Sequence, residues 1–216
     1  RHVARSREQG WKAVAALPSQ GSNKADWNDL HLTGKLTRRH QKEYRYYGDL
    51  LLAESARDKA LRMFEHNERP EFHFEYGNCV YWFKLDIERH MKAVERILND
   101  KKVNDEREAR SIALKESGAI KEIANCHPAP LYFMRSEVTD ESWYYFRIAF
   151  PGNTPAVKDS FTAGQISSAS EFKKRLLHVA KGALYTGTSQ QLDGLIKKDL
   201  PRIKEVRTQD FIGYNR

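Results

Sequence analysis

The sequence has few cysteines and no long apolar run, and each shortage excludes a class of protein. Cys79 and Cys126 are the only cysteines among 216 residues, and neither has a second cysteine nearby. This excludes a disulfide framework and a four-ligand zinc site, so we expect two buried free thiols. No stretch approaches the roughly 20 apolar residues that cross a bilayer, and no charged-then-apolar leader opens the chain. We therefore expect a soluble, cytoplasmic protein without a membrane partner.

Acidic residues are also in short supply relative to basic ones. The chain has 29 Asp and Glu against 37 Lys and Arg, which gives a net charge of +8 and a pI of about 9.4. Such an excess attracts polyanions because their condensed counterions are released on binding. Apolar residues make up 40% of the chain, which is enough for a sizeable core. Nucleic acid is the leading partner, although many basic domains bind none.

Hydrophobic periodicity predicts a mixed α+β fold. We expect a helix at 1–9 that Gly10 closes, a buried strand at 11–17, and one long helix or two in series at 36–67. A hairpin around Gly77-Asn78 follows, then helices at 86–98 and 104–117, and a second hairpin from 131–135 and 143–150. Ser168 caps a helix to about 180, and a further helix at 189–200 precedes short strands at 203–206 and 210–214.

A compact acidic motif follows the first predicted strand and its Gly-containing loop. It reads Lys24-Ala25-Asp26-Trp27-Asn28-Asp29-Leu30. Carboxylates after a strand lie at the edge of an α/β sheet, where divalent cations that bridge phosphates are commonly held. The alternative is that Asp26 caps a following helical turn, since Asp is a preferred N-cap residue.

This motif resembles the close of the Toprim domain in bifunctional DNA primase-helicases of phages and mobile elements. The resemblance implies that 1–34 is the tail of such a domain and that the remainder precedes a helicase. Together with the predicted elements, it makes 35–70 a helical connector and 71–216 a basic α+β module with an antiparallel sheet and packed helices. Asp26 and Asp29 would then complete a Mg²⁺ or Mn²⁺ site whose other carboxylates, a Glu and an Asp-x-Asp pair, precede this chain. The piece alone would hold no cofactor and no catalytic residue. A start on Arg1 fits an internal fragment.

The segment from 128 to 216 is similar to the region that joins the primase and helicase parts of these proteins. The similarity rests on Phe161-Thr162-Ala163-Gly164-Gln165-Ile166-Ser167-Ser168, on Phe172-Lys173-Lys174-Arg175-Leu176-Leu177 and on Phe211-Ile212-Gly213-Tyr214. It implies that neighbouring Toprim and helicase domains are partners of this chain.

Basic and aromatic residues mark a candidate DNA surface. The candidate cations for DNA phosphates are Arg38, Arg39, Lys42, Lys173, Lys174, Arg175, Lys181, Lys197, Lys198, Arg202, Lys204 and Arg207. The candidates for stacking on bases, beside Arg147, are Trp82, Tyr132, Trp143 and Tyr145. The alternative for these aromatics is the core, because each strand must bury one face.

These observations predict a DNA-binding and coupling region that contacts DNA without sequence specificity and does not catalyse by itself. One alternative is a structural adaptor that organises domains or subunits and does not contact DNA. A weaker alternative is a metal-dependent nuclease, which requires Asp26, Asp29, His73 and Glu75 to converge. Residues 182–189 have the glycine spacing of a P-loop, but Thr188 stands where the phosphate-binding lysine is needed, which excludes that site.

Overall fold

A computed structural model describes residues 2–18, 26–100, 103, 105–136, 139, 141–197, 200 and 203–207. The chain divides into two compact units, Arg1–Arg69 and Pro70–Arg216. The first unit is helical and the second combines helices with two sheets, which confirms a mixed α+β fold. No helix in the described ranges is both long and apolar enough to cross a membrane.

Four helices are described in the first unit: α1 His2–Glu8, α2 Trp27–Leu32, α3 Arg38–Leu51 and α4 Ala56–Asn67. The predicted helical stretch at 36–67 is therefore two helices in series. The second one begins at Ser55, whose hydroxyl accepts a hydrogen bond from the Asp58 amide at 3.1 Å. An N-cap of this kind satisfies a backbone donor that the helix itself leaves unpaired, so it fixes where α4 starts.

The predicted strand at 11–17 is wrong. The segment has no regular secondary structure and pairs with no described strand, and Trp11 and Val14 are 71% and 58% exposed. Its described backbone bond across the unit runs from the Leu17 amide to the Tyr44 carbonyl of α3, at 2.8 Å. The weak alternation of apolar residues thus reflects a chain lying along a helix. Among the described residues before the acidic motif, 2–18, there is therefore no strand and no sheet edge.

A close backbone approach explains the glycine in the middle of α3. A Cβ atom added to Gly48 would lie 2.2 Å from the carbonyl oxygen of Ala15, which belongs to the segment at 11–17. Real Cβ atoms do not approach a backbone so closely, and a backbone carbonyl cannot rotate away as a side chain can. Gly48 therefore lets the segment pack directly on the helix.

The second unit has six strands in two antiparallel arrays, a seventh strand and five helices among its described residues. In chain order these are β1 Glu71–Tyr76, β2 Cys79–Leu85, α5 Ile87–Asn99, α6 Glu106–Ser117, β3 Gly118–Ala124, β4 His127–Arg135, β5 Ser142–Ala149, β6 Val157–Thr162, α7 Ala163–Ile166, α8 Ala169–Val179, α9 Ser189–Lys197 and β7 Lys204–Arg207.

The strands form two separate sheets. One has the order β1-β2-β3, and its first hairpin turns at Gly77 and Asn78, which both have positive φ as a type I′ turn requires. The other has the order β6-β5-β4-β7. Both predicted hairpins are confirmed. The antiparallel prediction is wrong for β7, because this strand runs parallel to β4.

One hydrophobic core joins both sheets to α8 and α9. It contains Val80 and Ile123 of the first sheet, Phe146 and Phe161 of the second, and Phe172 of α8, all at most 1% exposed. Both cysteines are buried free thiols, as predicted, and burial raises the pKa of the Cys126 thiol to about 12. The core is thus formed between layers, and each sheet turns one face toward it.

We predict that Gly48→Ala destabilises the first unit. Helix propensity alone favours alanine by roughly 1 kcal/mol. The clash with Ala15 outweighs this gain, because overpacking of a tight contact costs about 1–3 kcal/mol. Urea unfolding followed by circular dichroism would measure the loss.

The matched control is Gly164→Ala in α7, where the added Cβ would meet only the Thr162 hydroxyl at 3.9 Å. We expect its unfolding to be unchanged or slightly shifted to higher urea. Equal unfolding curves for Gly48→Ala and the original chain would contradict the packing described here.

Candidate nucleic-acid interface

The four-stranded sheet has one face on the core and one face turned away from it. Along β5, Phe146 and Ile148 point into the core, so Tyr145 and Arg147 lie on the opposite face. Strand pairing continues this face onto β4 and β6. We call it the outer sheet face, and its residues are Ala129, Tyr132, Met134, Trp143, Tyr145, Arg147, Lys158, Ser160 and Thr162.

Aromatic side chains occupy the centre of the outer sheet face. Tyr132 and Tyr145 are cross-strand partners, and their rings stack with centroids 4.5 Å apart and planes 18° apart. Burial raises the pKa of Tyr132, and the neighbouring Tyr145 raises it further. Trp143 is half-buried two residues along β5. Three of the four predicted stacking residues therefore share one surface.

Trp82, the fourth stacking candidate, belongs elsewhere. It lies on β2 of the three-stranded sheet and packs against the core. Its indole Nε1 donates to a carboxylate oxygen of Glu71 at 3.0 Å, and the Lys84 ammonium lies 5.6 Å from its ring centroid. This aromatic residue is held by its own sheet and is not part of the outer sheet face.

Two cations stand directly opposite each other on the outer sheet face. Arg147 and Lys158 are cross-strand partners, and both are exposed. Like charges in this position cost roughly 0.2–1 kcal/mol of sheet stability. The outer sheet face contains no Asp or Glu, and no carboxylate in the described ranges forms an ion pair with either cation. The repulsion is therefore left unbalanced within the part of the protein that is described.

The lysines of α8 face the other way. Phe172 and Leu176 pack α8 onto the core side of the four-stranded sheet. Lys173 and Lys174 are exposed on the far side of that helix, and Lys174 forms an ion pair with Glu171 at 2.8 Å. The sequence predicts that the lysines of α8 lie beside the strand aromatics. In the structure, the hydrophobic core lies between these lysines and the outer sheet face. Contact of Lys173, Lys174 and the exposed Lys181 with DNA stays a prediction.

Arg175 is used inside the protein. One of its terminal nitrogens donates to the Asp159 carboxylate at 2.9 Å, and its guanidinium also donates to the Ser160 carbonyl at 3.0 and 3.1 Å. Its side chain is only 21% exposed. Arg175 thus ties α8 to β6, and its predicted contact with DNA would compete with these bonds.

The other predicted cations of the second unit are described in part or not at all. Lys198 and Arg202 lie outside the described residues, as do the side chains of Lys197, Lys204 and Arg207. The backbone of Lys204 pairs with Tyr132, so β7 borders the outer sheet face. The predicted strand at 210–214 also lies outside the described residues.

In the first unit, the predicted cations begin α3. Arg38, Arg39 and Lys42 are exposed, and the first turn of α3 contains no acidic residue. Cations are unfavourable there, because a helix N-terminus carries a partial positive charge. Within the described ranges, no carboxylate forms an ion pair with these three residues. Their contact with DNA stays a prediction.

Asp26 and Asp29 form a reciprocal cap on α2. The Asp26 carboxylate accepts from the Asp29 amide at 2.8 Å, and the Asp29 carboxylate accepts from the Asp26 amide at 3.1 Å. The capping alternative for Asp26 is therefore confirmed. Among the described residues, no three His, Cys, Asp or Glu side chains are grouped to hold a metal ion. A metal role for the two carboxylates stays a prediction.

Residues of the candidate nuclease site and of the candidate P-loop have local roles in the fold. His73 and Glu75 lie on β1, where Glu75 accepts from the Asn78 amide at 2.8 Å. Thr188 caps α9, because its hydroxyl accepts from the Gln191 amide at 3.2 Å. Gly182 has a φ of 84° in the turn after α8, which agrees with a helix end.

No family model matches this chain, and no curated protein or solved structure matches it either. The resemblance to Toprim primase-helicases therefore rests on the motif residues alone. The strongest structural basis for a function is the outer sheet face.

We predict that Arg175 and Asp159 stabilise the second unit as a coupled pair. A double-mutant cycle with Arg175→Gln and Asp159→Asn, measured by urea unfolding, should give a coupling free energy of about 0.5–1.5 kcal/mol. Lys174→Gln is the control, because it removes only an exposed ion pair and should change stability by less than about 0.5 kcal/mol. Strictly additive effects of the Arg175 and Asp159 substitutions would contradict this role.

Proposed function

We propose that this chain is a DNA-binding and coupling region of a replication primase-helicase, and that the outer sheet face contacts the DNA. The observation that carries the proposal is the outer sheet face itself, where stacked aromatics lie beside a cation pair and no carboxylate is present. The region binds and connects, and the chemistry belongs to other parts of the parent protein.

The charges of the outer sheet face favour a polyanion as the ligand. Arg147 and Lys158 repel each other in the free protein, and a phosphate between them would replace repulsion with attraction. Bases can stack on tyrosine and tryptophan rings whatever their identity, because every base has a π-face. Phosphate contacts also carry no sequence information. The resulting binding is independent of sequence and weakens as salt is added.

The coupling role rests on the resemblance of the acidic motif and of the segment from 128 to 216. Asp26 and Asp29 each use one carboxylate oxygen in the cap of α2 and keep the other oxygen for a further ligand. One or two carboxylates commonly bind Mg²⁺, while waters and phosphates supply its other ligands. By the resemblance, the two residues would contribute to a metal site together with carboxylates that come earlier in a Toprim domain.

The structural adaptor is the second candidate function, and exposed apolar residues favour it. Ile87 and Met91 are 59% and 53% exposed and lie one turn apart on α5. Apolar side chains exposed together on one helix face are typical of protein contacts. An adaptor of this kind would organise neighbouring domains without contacting DNA.

We predict that Lys158→Glu stabilises the fold and weakens DNA binding. An acidic residue opposite Arg147 converts a repulsive pair into an attractive one, which should raise the free energy of unfolding by about 0.2–1 kcal/mol. The same change removes a phosphate contact and should weaken binding about tenfold, with the slope of log K against log salt falling by about one. Fluorescence anisotropy with a mixed-sequence oligonucleotide of roughly 16 nucleotides would measure the affinity and its salt slope.

Lys173→Glu is the matched control, because it reverses an exposed lysine on the opposite side of the sheet. If Lys173→Glu weakens DNA binding and Lys158→Glu leaves it unchanged, the DNA site lies on α8 instead. If the original chain binds no oligonucleotide even at low salt, the DNA-binding proposal is withdrawn in favour of the adaptor.

A further inference from the structure

In the tyrosine stack, each ring covers one face of the other. Tyr132 and Tyr145 cover each other with centroids 4.5 Å apart, so the other face of Tyr145 is directed toward β6. The cross-strand partner of Tyr145 on β6 is Ser160. A serine side chain is too short to cover an aromatic ring. A short side chain therefore lies opposite this face of the Tyr145 ring, and we call the position above Ser160 the slot.

The two ends of this slot differ in chemistry. On one side, two residues along the strands and about 7 Å away, stand Arg147 and its partner Lys158. On the other side, at the same spacing, stand Trp143 and its partner Thr162. The slot therefore has a cationic end for phosphate and an aromatic end for a second base.

The backbone of Ser160, below the slot, is held by hydrogen bonds from the core side of the sheet. The Ser160 carbonyl accepts two bonds from the Arg175 guanidinium, and the Ser160 amide donates to the Asp159 carboxylate at 2.6 Å. Among the described residues, the Ser160 hydroxyl has no hydrogen-bond partner. The hydroxyl is thus available to the edge of a bound base, on a strand that α8 holds in place.

We infer that the outer sheet face binds single-stranded DNA, with one base stacked on Tyr145 above Ser160 and the adjoining phosphates at Arg147 and Lys158. The inference rests on the proposed function and adds the form of the DNA and the place of one base. Trp143 supports the neighbouring base in the same strand.

Stacking geometry selects a single strand over a duplex. In a duplex, neighbouring bases along each strand lie about 3.4 Å apart, so every base already has both faces covered. The aromatic positions on β5 are spaced by about 7 Å, which requires consecutive bases to be separated. Only an unpaired, extended strand offers base faces at that spacing.

Filling the slot without changing its charge is the direct test. We expect Ser160→Leu, in the full chain, to weaken binding of a mixed-sequence single strand about tenfold, which corresponds to the loss of one stacked base. Ser160→Ala keeps the slot open and should bind within about twofold of the original chain, because a single exposed hydroxyl contributes little. Tyr145→Ala should match Ser160→Leu, and Tyr145→Phe should retain binding because the ring remains. Anisotropy titrations with the single strand and with the matching duplex measure each variant, and circular dichroism checks its fold.

The outcomes separate this inference from the proposed function. If the duplex binds as tightly as the single strand, and Ser160→Leu and Tyr145→Ala have no effect while Lys158→Glu weakens binding, the slot is wrong and the proposed function stands. If no DNA form binds at low salt, both are overturned. An RNA strand bound more tightly than DNA of the same sequence overturns the assignment to DNA. Should Ser160→Leu fail to fold, the comparison of Tyr145→Ala with Tyr145→Phe decides.

Discussion

The packing of α8 on the four-stranded sheet decides which surface of the second unit is left for a ligand. Phe172 stacks on Phe161 with centroids 5.3 Å apart, and Phe161 meets Phe146 edge-on at 4.9 Å. This aromatic cluster occupies one face of the sheet, so alternation along β5 assigns Tyr145 and Arg147 to the other. If α8 packed on the opposite face, the same sequence would bury those two residues.

Much of the fold could be predicted because local chemistry agrees with it. Gly77-Asn78 supplies the two positive φ angles of a tight hairpin, and the Ser168 hydroxyl accepts from the Glu171 amide at the start of α8. The sequence does not predict the strands β3 and β6, because β3 has few β-branched or aromatic residues and β6 contains Lys158 and Asp159 in its interior. Their strand conformation comes from pairing with β2 and β5. The segment at 11–17 shows the reverse case. Its apolar pattern predicts a strand, but the segment lies along α3 and pairs with no described strand.

The candidate site was predictable in its residue types but not in its arrangement. An aromatic and basic composition identified Tyr132, Trp143 and Tyr145, since side chains that stack on bases are few in kind. Sequence could not show that the lysines of α8 lie behind the sheet, because the layer order depends on contacts between distant segments. Ser160 carried no signal at all. Ser160 matters only because its side chain is small and the register of β5 and β6 places it opposite the Tyr145 ring.

The parallel strand β7 also bears on how the sheet is assembled. The other three strands, β4, β5 and β6, follow one another along the chain and are joined by short connections, whereas β7 comes from far downstream and is added beside β4. Contacts between distant segments form late, because closing the long loop between them lowers the chain entropy before the pairing can stabilise the contact. The three-stranded meander should therefore form first, with the Tyr132 edge temporarily open, and that edge is where a nascent chain of this protein is most exposed to pairing with the wrong strand.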